Sequence, residues 1–292
     1  ELKKHLTSNN FQEVINYSFV DDGLQNELEL SKGLIKIQNP ITENLNSMRT
    51  SLFPGLITNL ISNAKRGNDY LKIFEEGKVF SRNKTIKEAN QLAGLIFDQE
   101  KKGWNRSDSF DFYALKELVL NLAKFSNITD VALKKSDSNL LHPKISADIF
   151  KANKKIGSFG KVHPLILKKI NFKKAFFYFE FDTNELFNLK NLKLVEPSKF
   201  PSTQRDLAFI VSEEIDYIEL FEEISKCAGK DLIDIKLFDL FKGGELQTNQ
   251  KSLAFRLTWQ SNKDTLEDRD VDSAVDKIIK SSKRKFGAKL RS

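Results

Sequence analysis

Apolar residues recur at two different spacings along this chain, and the switches between them mark out its elements. Leu52, Leu56, Leu60 and Ala64, with Ile57 and Ile61 beside them, form the stripe of a helix that Thr50 or Ser51 caps. That helix tolerates Pro54 in its first turn and ends at Gly67. Helical spacing returns through Phe112, Leu115, Val119 and Leu122. By contrast "FQEVINYSF", "YLKIFEEGKVF" and "QLAGLIFD" are dense in aromatic and β-branched residues and predict strands. "SADIFKANKKIGSFGKV" predicts a hairpin turning near Asn153, and "FFYFEFDTNELF" a buried strand running into a helical turn. The opening "LKKHLTSNN" reads as the end of a helix, as in a chain cut from a longer one. Strands and helices mix without regular alternation, which favours an antiparallel α+β sheet over a doubly wound fold.

Pro197 and Pro201 interrupt this pattern, so a first domain is expected over residues 1–195 and a second over 196–292, starting at Glu196. In the second, "DLAFIV" is a strand, and Asp216 with Glu219 three residues on makes a capping box. Tyr217, Phe221, Ile224 and Ala228 then give a helical stripe closed by Gly229. "LIDIKLFDLF" and "KSLAFRLTWQ" are strands joined through Gly243 and Gly244. Thr265 caps a second helix with Val271, Val275, Ile278 and Ser282 on one side, ended by Gly287, and "AKLR" closes the sheet. The order βαββαβ is the ferredoxin-like arrangement.

The chain has 292 residues, 40% of them hydrophobic, enough for two cores. No apolar run is long enough to span a bilayer and no signal peptide is present at the start, so the expectation is a soluble, cytoplasmic chain without membrane contact. The one cysteine, Cys227, falls on an apolar helical stripe and reads as core filler. A net charge of +7 permits an acidic partner. Residues 197–292 hold 17 basic and 17 acidic side chains, so the whole excess lies in residues 1–196. Within the second domain the charge is segregated instead: residues 277–292 hold seven basic groups and no acidic one.

Candidate chemistry is sparse. His5, His142 and His163 are far apart, two of them precede prolines, and none has a partner at metal-ligand spacing, so no metal site is assigned. "IGSFG" sits in a hairpin, where a phosphate loop does not belong. Glu75 and Glu76 are consecutive in a strand and point to opposite faces, so they do not make an acid and base pair. No catalytic residue is assigned. In the last long strand Leu253, Phe255, Leu257 and Trp259 alternate with Ala254, Arg256, Thr258 and Gln260. A ferredoxin-like sheet carries its helices on one side, so its other face offers Arg256, Lys236 and Phe238 to single-stranded RNA, or packs on protein; the pattern supports both equally. The basic end, from Lys277 and Lys280 through Lys283, Arg284, Lys285, Lys289 and Arg291, suits phosphate. Because the same helix starts with Glu267, Asp268, Asp270 and Asp272, complementing the helix dipole explains it as well. Arg205, at the start of the first strand, suits an ion pair or an RNA contact.

Taken in order, "NFQEVINYSFV", "NPITENLNSMRTSLFPGLITNLISNAKRG", "LKIFEEGKVF", "IGSFGKVHP", "KFPSTQRDLAFIV", "LFDLFKGGEL", "KSLAFRLTWQ" and "DTLEDRDV" resemble the C-terminal portion of the bacterial phenylalanine-tRNA ligase beta-subunit family over essentially the whole chain. The resemblance implies a class II synthetase-like antiparallel sheet with flanking helices that has lost catalysis, followed by a ferredoxin-fold anticodon-binding domain. It implies a catalytic alpha subunit and phenylalanine tRNA as partners, a heterotetramer of two alpha and two beta subunits, and ATP and magnesium used by the full complex but not held by this chain. The upstream tRNA-binding, editing and metal-associated modules of the family do not fit within these residues. Three departures from a working class II site stand out: Arg82 falls beyond its strand, no glycine-rich strand leads to a helical arginine, and Asn16 and Tyr17 replace an expected proline. The competing implication is a pure assembly module whose second domain touches no RNA.

Overall fold

A computed structural model of the chain describes residues 2–99, 110–126, 128, 131–186, 197–244 and 246–291. The chain divides into two compact units, Glu1–Leu192 and Lys193–Ser292. The expected boundary residue Glu196 lies outside the described residues.

In the first unit the order is α1 (Leu2–Ser8), β1 (Gln12–Glu13), β2 (Phe19–Val20), α2 (Asp22–Glu27), β3 (Ile35–Lys36), β4 (Ser47–Met48), α3 (Phe53–Lys65), β5 (Tyr70–Arg82), β6 (Ile86–Asp98), α4 (Phe112–Phe125), β7 (Val131–Lys135), β8 (Leu141–Lys151), β9 (Lys154–Val162), α5 (Pro164–Lys169), β10 (Phe177–Asp182) and α6 (Thr183–Leu186). Seven strands join in the order β1-β5-β6-β10-β9-β8-β7, antiparallel except for β1, which runs parallel to β5. Period-two alternation divides each central strand between two cores. Phe74, Leu92, Ile96 and Phe179 face Leu2 and Leu6 of α1 and Leu115, Val119 and Leu122 of α4. Their neighbours Ile73, Ala93, Leu95 and Tyr178 face Phe53, Leu56, Ile57 and Leu60 of α3 and Ile166 of α5. Both faces of this sheet are therefore covered by helices of its own chain.

Several expectations need correction here. "FQEVINYSF" is not one strand: its ladder stops after Glu13, because the Asn16 N–H is drawn to the Glu75 carboxylate at 3.3 Å rather than to a neighbouring strand. Arg82 is the last residue of β5, paired with Ile86, not beyond the strand. His142 and His163 are brought together, with ring centroids 6.4 Å apart, because β8 and β9 pair Leu141 with Val162. Each uses Nδ1 to accept a backbone N–H two residues on, that of Lys144 or Leu165, so the pair shapes turns. Among the described residues no three His, Cys, Asp or Glu side chains gather as a metal site.

The second unit runs β11 (Thr203–Ser212), α7 (Tyr217–Cys227), β12 (Leu232–Lys242), β13 (Gln250–Trp259), α8 (Asp268–Phe286) and β14 (Lys289–Leu290), with strand order β12-β13-β11-β14. All its pairings are antiparallel, giving the ferredoxin-like arrangement. Leu220 and Ile224 of α7 and Val271 and Ile278 of α8 bury one sheet face through Leu207, Phe209, Leu253, Phe255 and Leu257. Leu220, not Phe221, is the buried member of the α7 stripe. Thr265 does not cap α8. Leu266 and Val271 both enter the core, a hydrophobic staple across the helix entry that fixes the start after Glu267. Gly287 ends α8 at φ +63°, a left-handed conformation that suits glycine. Ser198 and Phe200, between the two prolines, are bonded to Ser261 and Gln260 of this unit. No described helix in either unit is long and apolar enough to cross a membrane.

Candidate nucleic-acid interface

The second unit's other sheet face carries no helix, and its side chains are set by strand parity. Antiparallel register lines up Asp206, Arg256 and Lys236 in one row across β11, β13 and β12. Asp206 grips Arg256 bidentately: Arg256 Nε donates to one carboxylate oxygen at 2.8 Å and Nη2 to the other at 2.7 Å. These bonds hold the Asp206 carboxyl below the usual carboxylate range and raise the guanidinium further. Phe238 shares the outward parity of Lys236, and the Arg256 Cζ lies 5.2 Å from its ring centroid; a register shift between Leu237 and Asp239 then inserts one extra residue in β12 and brings Phe241, opposite Ser252, to the same face. A second stack sits beside it. Arg291, just past β14, donates its backbone N–H to Ala208 and reaches over the Phe241 ring at 5.0 Å. Ala208 and Ala254, small residues side by side at the sheet centre, leave room for that crossing. Phe238 and Phe241 remain 47% and 38% exposed, so both rings are open to a planar partner. Lys289, opposite Ile210, is exposed on the same face.

The structure thus gathers Lys236, Phe238, Arg256, Lys289 and Arg291 on one face and sends Arg205, Lys283, Arg284 and Lys285 to the helix side. Arg205 shares parity with Leu207 and Phe209 and bonds Asp268 at 2.8 Å and Asp272 at 3.5 Å on the first turns of α8. Lys285 bonds Glu223 of α7 at 2.8 Å. Lys283 and Arg284 are exposed in the last turn, with no carboxylate partner among the described residues. Cys227 is half-buried and packs against the core of this unit, with Sγ beside a Glu223 carboxylate oxygen. Phe241 and the Asp206 grip escape a reading by sequence, since the bulge that reverses the parity of β12 after Phe238 has no marker in the chain. The closely spaced Phe residues in "LFDLF" are the one signal the chain offers.

In the first unit the notable cluster is buried. Arg49 Nη1 donates to Glu75 Oε1 at 2.5 Å, and its Nε to the Lys78 carbonyl at 2.9 Å. Asn16 Nδ2 reaches the other Glu75 oxygen at 2.7 Å, while Asn59 donates to Asn16 at 3.0 Å. Glu76 points the opposite way, toward Lys3. Glu75 and Arg49 are thereby consumed in supporting one another. With α3 laid over the same sheet face, these residues do not fit a nucleotide triphosphate, which needs cations free to meet its charge.

The sequence profile described as "Phenylalanyl tRNA synthetase beta chain CLM domain" matches residues 1–183, and that of the "Ferredoxin-fold anticodon binding domain" matches residues 198–291. The chain belongs to the phenylalanyl-tRNA synthetase beta-chain family. Phenylalanine–tRNA ligase beta subunits of Pseudoalteromonas translucida and Hahella chejuensis are 33% and 31% identical to it over 298 and 294 residues. The alignments cover 100% of this chain and 38% and 37% of those proteins, so it spans well under half the length of these relatives. A pyrrolysyl tRNA synthetase of Desulfitobacterium hafniense superposes with a TM-score of 0.50 over 63% of this chain and 64% of that one, at 15% identity. That likeness concerns the fold alone, which is tRNA synthetase-like over that share of the chain, while the four-stranded sheet lies in the residues matched by the ferredoxin-fold profile.

Proposed function

We propose that this chain is the non-catalytic part of a phenylalanine-tRNA ligase beta subunit, its first unit seated against the catalytic alpha subunit and its second holding phenylalanine tRNA. The observation that carries the RNA part is the helix-free face of the second unit, where two exposed phenylalanine rings alternate with Arg256, Arg291, Lys236 and Lys289. Unpaired bases stack on aromatic and guanidinium planes, while lysines and arginines neutralise the phosphates between them. Support for the scaffold role comes from the covered faces of the larger sheet and the internally spent Arg49–Glu75 pair. Adenylate chemistry, with its ATP and magnesium, then falls to the alpha subunit of a cytoplasmic heterotetramer of two alpha and two beta subunits. Ile15 and Tyr17, 91% and 76% exposed beside β1, are the apolar surface offered to a protein neighbour.

A second reading, assembly without RNA contact, draws on the fact that Asp206 already neutralises Arg256. A salt titration of binding to phenylalanine tRNA, with and without purified alpha subunit, separates the two. Salt-dependent binding by the chain alone supports the RNA reading; binding only in the presence of the alpha subunit leaves the chain a scaffold.

A further inference from the structure

Two arginines on the open face are built alike and differ in one respect. Arg256 lies over Phe238 and Arg291 over Phe241, at 5.2 and 5.0 Å from the ring centroids. The donor edge of Arg256 is filled by both oxygens of Asp206. The donor edge of Arg291 has no carboxylate partner among the described residues. A carboxylate held bidentately occupies the same two N–H groups that a phosphate takes. Asp206 is also the immediate neighbour of Arg205, and strand parity sends the two to opposite sides, so Asp206 has no part in the Arg205 contacts with α8. Its contact with Arg256 spans two exposed side chains and contributes little to holding the sheet.

We propose that Asp206 is an internal stand-in for an RNA phosphate, which keeps Arg256 over Phe238 until a bound strand displaces it. This rests on reading the open face as the RNA surface and adds to it a tuning residue. Arg291 meets the strand directly; Arg256 exchanges one acceptor for another, and its movement bares the Phe238 ring for a base. The exchange has an ionic signature. The Arg256–Asp206 pair carries no net charge, so presenting it to a strand neutralises no phosphate on balance, and Arg256 adds almost nothing to the salt dependence of wild-type binding. Without the Asp206 charge, the full contribution of one phosphate, a slope steeper by about 0.7, is recovered.

The test uses the whole chain, with a phenylalanine tRNA transcript as probe, titrated with salt for the wild type, Asp206→Asn, Arg256→Ala and the double variant. Asp206→Asn is expected to bind roughly two- to fivefold more tightly, the size of an exposed ion pair, with the steeper slope. Adding Arg256→Ala should erase both gains. Asp206→Ser, which also removes the charge, should reproduce the gain if it is electrostatic. Should Asp206→Asn bind as the wild type does or more weakly, or keep its gain without Arg256, the stand-in role is overturned while the RNA surface stands. Absence of binding by every form overturns both together.

Discussion

Arg49 Nη1 lies 2.5 Å from Glu75 Oε1, with the two side chains 6% and 3% exposed, so the first unit contains a sealed ion pair between the approach to α3 and the middle of β5. Removing one partner strands the other charge in the core. Arg49→Met and Glu75→Leu are each expected to destabilise the fold by about 3–5 kcal/mol, whereas the double replacement recovers most of that loss. Chemical denaturation of the three variants measures the coupling directly.

Gly77 shares this cluster. A Cβ built there would lie 2.3 Å from Arg49 Nη2, and that guanidinium is held by Glu75 and the Lys78 carbonyl. Gly77→Ala should therefore cost about 1–3 kcal/mol in the wild-type background, and clearly less beside Arg49→Met, whose thioether can move aside. Gly94→Ala meets the ring of Phe179 at 2.3 Å, inside the other core, and should cost as much in both backgrounds. Melting temperatures of these single and double variants distinguish the local clash from general loss of packing.

How far the fold can be read from the chain depends on the range of the force that sets each element. The stripe from Leu52 to Leu60 and the alternation from Leu253 to Trp259 are local, repeated signals, and both elements form where the spacing puts them. "FQEVINYSF" fails because Glu75, 59 residues from Asn16, takes the backbone and side-chain hydrogen bonds that a longer strand needs. Thr265 fails as a cap because the entry of α8 is decided by Leu266 reaching the core. The candidate interface is half legible. Arg256, Lys236 and Phe238 share a face, as alternation suggests, but Arg205 turns to α8 and the basic end splits between Lys289 with Arg291 on the sheet and Lys283 to Lys285 behind it. A cluster in sequence straddles the chain reversal at Gly287 and so divides between two sides of the unit.

Glu223 gives the second unit a pH dependence. Its carboxylate accepts from Lys285 at 2.8 Å and Ser281 at 2.6 Å, and these bonds lower its pKa to about 2, the Lys285 bond contributing most. A depressed carboxyl contributes stability that is fully present above its unfolded value of 4.5 and is lost as pH falls through its folded value of about 2. Glu223→Gln should thus melt below the wild type at neutral pH, with the gap closing as the pH is taken from about 5 down toward 2. A gap that stays constant over that range would assign the loss to packing instead.

The two basic surfaces make different predictions for tRNA. Lys283→Ala with Arg284→Ala removes exposed charge without touching a described partner, whereas including Lys285→Ala also strands the Glu223 carboxylate and mixes stability into the result. If the last turn of α8 meets phosphates, the double variant weakens binding and lowers the salt slope by up to about 0.9 for each phosphate no longer neutralised, whatever the sequence of the anticodon loop. Phe238→Leu and Phe241→Leu preserve apolar bulk on the sheet but remove the stacking plane. Stacking on an aromatic ring is worth about 1–3 kcal/mol per base, so each should weaken binding measurably while leaving the salt slope unchanged. Nitrocellulose or anisotropy titrations at several salt concentrations separate these patterns. A loss confined to the α8 pair would move the tRNA to the helix side of the unit, and a loss confined to the phenylalanines would make the α8 charges a complement to the helix dipole, which Asp268 and Asp270 at the other end already favour.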